Sequence, residues 1–117
     1  MPTLQDKRKL KRRHLIYYLR VFSMPAAELL GHLVDITPEG IMIIGEKPIP
    51  VDQDYQLHMD LPAEIMGKDR IEFSAHSKWS NKDVDPSFFG TGFQLQNVNA
   101  EDLKIIKRLI IDFGFLD

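Results

Sequence analysis

There is no cysteine among the 117 residues. Its absence excludes a disulfide framework, a thiol nucleophile and any thiolate metal site, and it fits a reducing compartment. No apolar run approaches the roughly 20 residues of a membrane-spanning helix. The charged N-terminus is not followed by the hydrophobic segment of a secretory signal. The expectation is a cytoplasmic protein with no transmembrane segment. Repeats, low-complexity tracts and linker-like stretches are missing as well, so the chain reads as one domain long enough to bury its own core.

Enzymatic constellations are equally scarce. His14, His32, His58 and His76 stand singly within strand-like patterns, without partners at the spacing of metal ligands. Ser74, Ser77 and Ser80 lack the context of a nucleophile elbow. Asp52 with Asp54, and Asp83 with Asp85, flank turns and read as solvated loop acids. No glycine-rich phosphate loop is present. The chain is therefore expected to be no enzyme, with no catalytic residue, no metal and no cofactor.

What is present is an ordinary globular composition, 44% apolar and 27% charged, with a marked asymmetry in charge. Residues 1–13 carry six Lys/Arg against one Asp, a balance of +5, and the remainder carries nine against sixteen, or −7. A basic arm on an acidic body suits an anion: nucleic acid, a phosphate compound or a membrane surface. The acidic body disfavours nucleic acid, because a duplex would be repelled everywhere except at the arm.

The body reads as six strands and a helix. His14–Phe22 is rich in β-branched and aromatic residues, with Leu15, Tyr17, Leu19 and Val21 on one side. Pro25 breaks it, and Ala26–Ile36 follows as a hairpin partner. Ile41–Ile44 is a buried strand, then a two-proline loop spans Lys47–Asp52. Tyr55–Leu61 and Arg70–Trp79 both alternate, the latter placing Ile71, Phe73, Ala75, Ser77 and Trp79 on one core face. Phe88–Val98 is the sixth strand, with Gly90 and Gly92 marking a bend or a close backbone approach. The period then changes: Leu103, Ile106, Ile110 and Phe113 recur at helical spacing, widened by Leu109. Asn99 is the expected N-cap and Gly114 the expected stop. Pattern alone reaches a β-barrel or sandwich with a helix.

One stretch stands out, Val34-Asp35-Ile36-Thr37-Pro38-Glu39-Gly40-Ile41. An apolar run enters a polar corner and leaves as another apolar run. Asp35 and Thr37 can bond their local backbone, Pro38 restricts one φ, and Gly40 can adopt a positive φ. Upstream lies Lys7-Arg8-Lys9-Leu10-Lys11-Arg12-Arg13. Arg grips phosphate oxygens with a planar fork, stacks on bases and pairs with the guanine O6/N7 edge.

Together these stretches resemble the PilZ family, whose signature is RxxxR followed by (D/N)xSxxG. Arg8 and Arg12 supply the first motif; Asp35, Thr37 and Gly40 supply the second, with Thr in place of Ser. Shifted by one residue, Lys9 and Arg13 stand at the same spacing as the arginine pair. Lys78-Trp79-Ser80 and Gly90-Thr91-Gly92-Phe93 are similar to the family's closing strands. The resemblance implies a mainly β fold: a six-stranded antiparallel PilZ-like β-barrel over 14–117, with a C-terminal helix at 100–113 and a flexible arm at 1–13. It implies a bacterial receptor or adaptor for cyclic di-GMP that signals to a downstream protein, or alternatively a protein–protein adaptor of the same fold without nucleotide. Arg8 and Arg12, or Arg13 in the shifted register, would clasp guanine and phosphate. Asp35, Thr37 and Gly40 would form the floor. Lys7, just before the arginine pair, would favour two stacked nucleotides, and Trp79 is an additional candidate for base stacking.

Overall fold

The computed structural model describes residues 19–62 and 68–112. The basic arm, the first part of the expected first strand, and Phe113 with Gly114 lie outside the described residues. Six strands are present: β1 (Arg20–Ser23), β2 (Glu28–Ile36), β3 (Gly40–Gly45), β4 (Asp54–Asp60), β5 (Arg70–Lys82) and β6 (Phe89–Gln96). One helix follows, α1 (Ala100–Asp112). The strands close into an antiparallel barrel in the order β1-β2-β3-β6-β5-β4, with β1 returning to β4. Among the described residues closure leaves no edge strand to template another chain.

The barrel is two three-stranded meanders joined edge to edge, β3 to β6 and β1 to β4, so β3 and β4 stand on opposite sides of the ring. The connection between them must cross an end of the barrel. The two prolines at Pro48 and Pro50 stiffen that crossing, and Ile49 between them is buried in the core. Its amide donates to Ser80 Oγ at 3.1 Å, so the crossing also meets its own polar demands. At the other end, where β5 begins and β6 finishes, α1 supplies the seal. Ile105, Ile106, Leu109 and Ile110 are all buried and join the same cluster as Val21, Leu33, Ile43, Leu57, Met59 and Phe73.

The helix starts as its sequence directs. The amide of Asp102 donates to Asn99 Oδ1 at 2.7 Å, an N-cap bond. Asp102 is itself buried, and the Lys68 ammonium sits 3.2 Å from its Oδ1, compensating the burial of a charge. The buried face runs through Asp102, Ile105, Ile106, Leu109 and Ile110, whereas Leu103 is only half-buried. The expected stripe is thus rotated toward Ile105, the orientation that buries Ile105, Ile106, Leu109 and Ile110 together.

Alternation holds along most strands. Leu57 and Met59 on β4, and Ile71, Phe73, Ala75 and Ser77 on β5, all point inward as expected. It fails for Trp79. Ser77 pairs with Phe93 but Trp79 pairs with Gly92, so β5 carries a bulge at Lys78. One extra residue reverses every following side chain. Trp79 consequently lies outside, 40% exposed, and Ser80 turns inward to meet Thr91 Oγ1 at 2.9 Å. The expected core position is corrected: a hydroxyl occupies it, and it serves Ile49 as well.

Candidate nucleotide-binding site

The corner between β2 and β3 is built by its own side chains. Thr37 Oγ1 accepts from the amides of Glu39 (3.2 Å) and Gly40 (3.1 Å), and the Thr37 amide donates to the Gly40 carbonyl at 2.8 Å. A hydroxyl at this position therefore holds the turn, and the methyl of Thr is tolerated on its exposed surface. Asp35 Oδ1 accepts from the Ile36 amide at 2.9 Å while the residue stays exposed. Gly40 differs from expectation in its reason for being glycine. Its φ is not in the left-handed region; a Cβ there would stand 2.7 Å from the Phe93 carbonyl oxygen, too close to β6.

From this corner a row of residues crosses four strands on the barrel's outer face. Asp35 pairs with Met42, Met42 with Gly92, and Gly92 with Trp79. Three inter-strand steps make about 14 Å from Asp35 to Trp79. The indole lies over Gly92, where any Cβ would collide with it, and Cβ at Gly90 would meet Met42 Cε at 3.2 Å. Two glycines thus lower the floor so that Trp79 and Met42 form an apolar shelf beside an exposed carboxylate. Sequence reasoning noted both glycines as marks of close approach but assigned Trp79 to the wrong side. Met42 was missed; pairing of Gly92 with the only Trp is the signal that finds the shelf.

The start of the described chain lies beside this row. The Leu33 amide donates to the Leu19 carbonyl at 2.8 Å, extending the β1–β2 ladder one step past Arg20 toward Asp35. Leu19, the first described residue, therefore stands at the end of β1 nearest Asp35. Lys7, Arg8, Arg12 and Arg13 lie outside the described residues. The structure brings together Asp35, Thr37, Gly40 and, across the face, Trp79.

The histidines resolve into different environments. His58 is nearly buried against the Phe22 ring, 5.3 Å between centroids, and 3.3 Å from Asp60 Oδ1. His76 is bracketed by two carboxylates, Nδ1 2.7 Å from Asp54 and Nε2 3.0 Å from Asp52. The hydrogen bonds to Asp54 and then Asp52 raise its pKa above the ordinary 6.5. Asp52 and Asp54 are solvated as expected, and both also hold His76. Among the described residues no group of His, Asp and Glu is arranged to hold a metal.

Comparison with known proteins points to one family. A family model described as the PilZ domain covers residues 6–112. No curated protein sequence matches the chain. Among solved structures, the Bacillus subtilis inhibitor of motility MotI/DgrA superposes with a TM-score of 0.65 at 18% identity, over 80% of this chain and 44% of that one. This chain thus spans under half the length of that protein. The PilZ domain of YcgR from Escherichia coli, a structure with cyclic di-GMP, superposes with a TM-score of 0.56 at 16% identity, over 82% of this chain and 80% of its own.

Proposed function

Because the chain belongs to the PilZ domain family, we propose that it is a non-catalytic receptor for cyclic di-GMP, a binding module that turns nucleotide level into a signal to another protein. The observation that carries this reading is the row from Asp35 to Trp79, with Leu19 paired to Leu33 beside it. A carboxylate accepts from the N1 and N2 donors of guanine, and an indole face stacks on a base. The YcgR domain binds this ligand in its structure.

In this reading Arg8 and Arg12 come over the nucleotide and clasp guanine and phosphate. Asp35 and Gly40 form the floor, and Trp79 stacks at the far end. The Thr37 hydroxyl, committed to two amides, shapes the corner and leaves direct contact to its neighbours. Residues 1–13 act as the arm and 14–117 as the body, the arm ordering on binding so that the ordered surface is the signal. The protein works in the cytoplasm; among the described residues no helix is long and apolar enough to cross a membrane. The second reading, an adaptor without nucleotide, draws on the same exposed Trp79 shelf, whose apolar surface suits a protein partner too.

Calorimetry with cyclic di-GMP tests both. Saturable heat supports the receptor, and no binding at millimolar nucleotide leaves the adaptor. Stoichiometry is read at two salt concentrations. Two nucleotides per chain are expected at low salt, drifting toward one as ions screen Lys7 and its neighbours; a value of one throughout rules out the stacked pair.

A further inference from the structure

The barrel end crossed by the β3–β4 connection carries a feature that nucleotide binding does not use. A half-open groove of about 880 Å³ runs between the outer face of β2–β3 and the connection. Its walls are apolar, formed by Leu29, Leu30, Val34, Ile44, Pro48 and Phe88. Leu29 is 48% exposed, well above what an aliphatic side chain with a settled place in a core would show. The floor is firm. Tyr55 Oη donates to the Pro50 carbonyl at 2.9 Å, and Ser77 Oγ donates to the same carbonyl at 2.9 Å.

The rim is acidic. Glu28, Glu46 and Asp83 border the groove against Lys47 alone. An occupant must therefore bring apolar anchors and cationic flanks. The chain's own basic arm meets the charge requirement as well, and the test below decides between it and a partner. Leu19, the first described residue, pairs with Leu33 near the Asp35 end of β2, whereas Glu28 lies at the other end of that strand. In a second copy the body, residues 14–117, carries nine Lys/Arg against sixteen Asp/Glu, so body-on-body docking would set acid against acid.

We propose that this groove is a docking surface for a cationic amphipathic segment of another protein, its aliphatic or aromatic residues in the groove and its Lys/Arg against Glu28, Glu46 and Asp83. The proposal rests on the reading of the chain as a module that signals through a protein partner, and it assigns where that partner sits. Ile44 lines the groove and also stands 3.8 Å from where a Cβ on Gly90 would lie, so the groove shares a wall with the Trp79 shelf. An event on the shelf is one side chain away from the docked segment.

The test uses the full chain and an 18-residue helix-forming peptide with Leu/Phe on one face and Lys/Arg on the other. Its counterpart with Glu for Lys/Arg is the control, and binding is read by fluorescence polarisation at physiological ionic strength. The basic peptide is expected to bind and the acidic one to fail. Glu28→Lys with Glu46→Lys should weaken the basic peptide at least tenfold. Leu29→Asp separates docking from mere charge attraction, because it adds a negative charge. Groove docking predicts at least tenfold weaker binding, and non-specific attraction predicts equal or tighter binding. Equal or tighter binding by Leu29→Asp overturns the proposal. So does the absence of basic-peptide binding, or binding that improves when Arg8 and Arg12 are replaced, which would make the arm the occupant. Self-association abolished by Leu29→Asp would assign the groove to a second copy and overturn it too. Cyclic di-GMP titration of the same variants keeps the two readings apart: loss of peptide with nucleotide binding intact bears on the groove alone.

Discussion

The two ends of the barrel are closed by different means, and the difference separates what holds the fold from what can respond. At one end α1 lays four aliphatic side chains, Ile105, Ile106, Leu109 and Ile110, onto the core. At the other a single side chain, Ile49, reaches in from a crossing loop. That loop is held by polar bonds: Ser77 and Tyr55 to the Pro50 carbonyl, Ser80 to the Ile49 amide, and His76 to Asp52 and Asp54. Apolar burial is non-directional and insensitive to pH, whereas hydrogen bonds with carboxylates depend on protonation and geometry. One end is a seal and the other an adjustable strap.

The largest expected effect tests the seal. Ile106→Ala removes a fully buried side chain and should destabilise by about 2–5 kcal/mol in denaturant unfolding, with nucleotide affinity per folded molecule unchanged. Ile49→Ala should cost less, since one side of its site is a loop able to settle. Equal losses from both would erase the contrast between the ends. Cooperative unfolding that survives removal of α1 would refute the seal itself.

Next comes the arm, whose contribution should be to binding and not to the fold. Arg8→Ala or Arg12→Ala each removes charge-assisted contacts of roughly 1.5–3 kcal/mol, so cyclic di-GMP binding should weaken at least tenfold. The melting temperature of the free protein should stay nearly unchanged, since in this reading the arm adds little to the core. Wild-type affinity in both variants would sink the receptor reading. If Arg13→Ala is instead the damaging change, the shifted register is the working one.

Trp79→Ala gives a smaller effect of the same kind. Loss of one stacking platform is worth about 1–3 kcal/mol of nucleotide affinity. Stability should fall by less than a buried Trp would give, because the indole lies on the outer face over Gly92. A large stability loss with unchanged affinity would return Trp79 to the structural role that alternation assigns it.

That residue also marks where the sequence stops being legible. Period-two alternation placed Leu57, Met59, Ile71, Phe73 and Ala75 correctly, because each faces a continuous apolar core. A bulge is a one-residue event with no compositional signature, so alternation carried Trp79 across Lys78 to the wrong side. The Thr37 corner was readable because its bonds are local, made within three residues. The His76 bracket was not, for its partners lie 22 and 24 residues away and meet only when β4 pairs with β5. The shelf needed the pairing of β3, β5 and β6, which no spacing in the chain announces.

The smallest expected effect tests the strap. Both ring nitrogens of His76 face carboxylates, Asp54 first and Asp52 second, and both raise its pKa above 6.5. The folded state therefore binds the proton more tightly than the unfolded chain. The stabilisation is fully present below the unfolded value of 6.5 and is lost as pH rises through the higher folded value. Around the ring, Asp52 and Asp54 supply the negative charge, Gln94 pairs opposite on β6 without charge, and Lys78 follows on β5. Water reaches the partly exposed ring and both exposed acids, so the effect is modest. Thermal unfolding of the wild type should show slightly lower stability at pH 8.5 than at pH 6, once compared with His76→Gln, which keeps polar bonding capacity and cannot titrate. The variant should flatten that difference and leave Ile106→Ala as costly at either pH. A pH dependence identical in wild type and His76→Gln would show that the loop end is held by its serines and Tyr55, with the bracket contributing nothing.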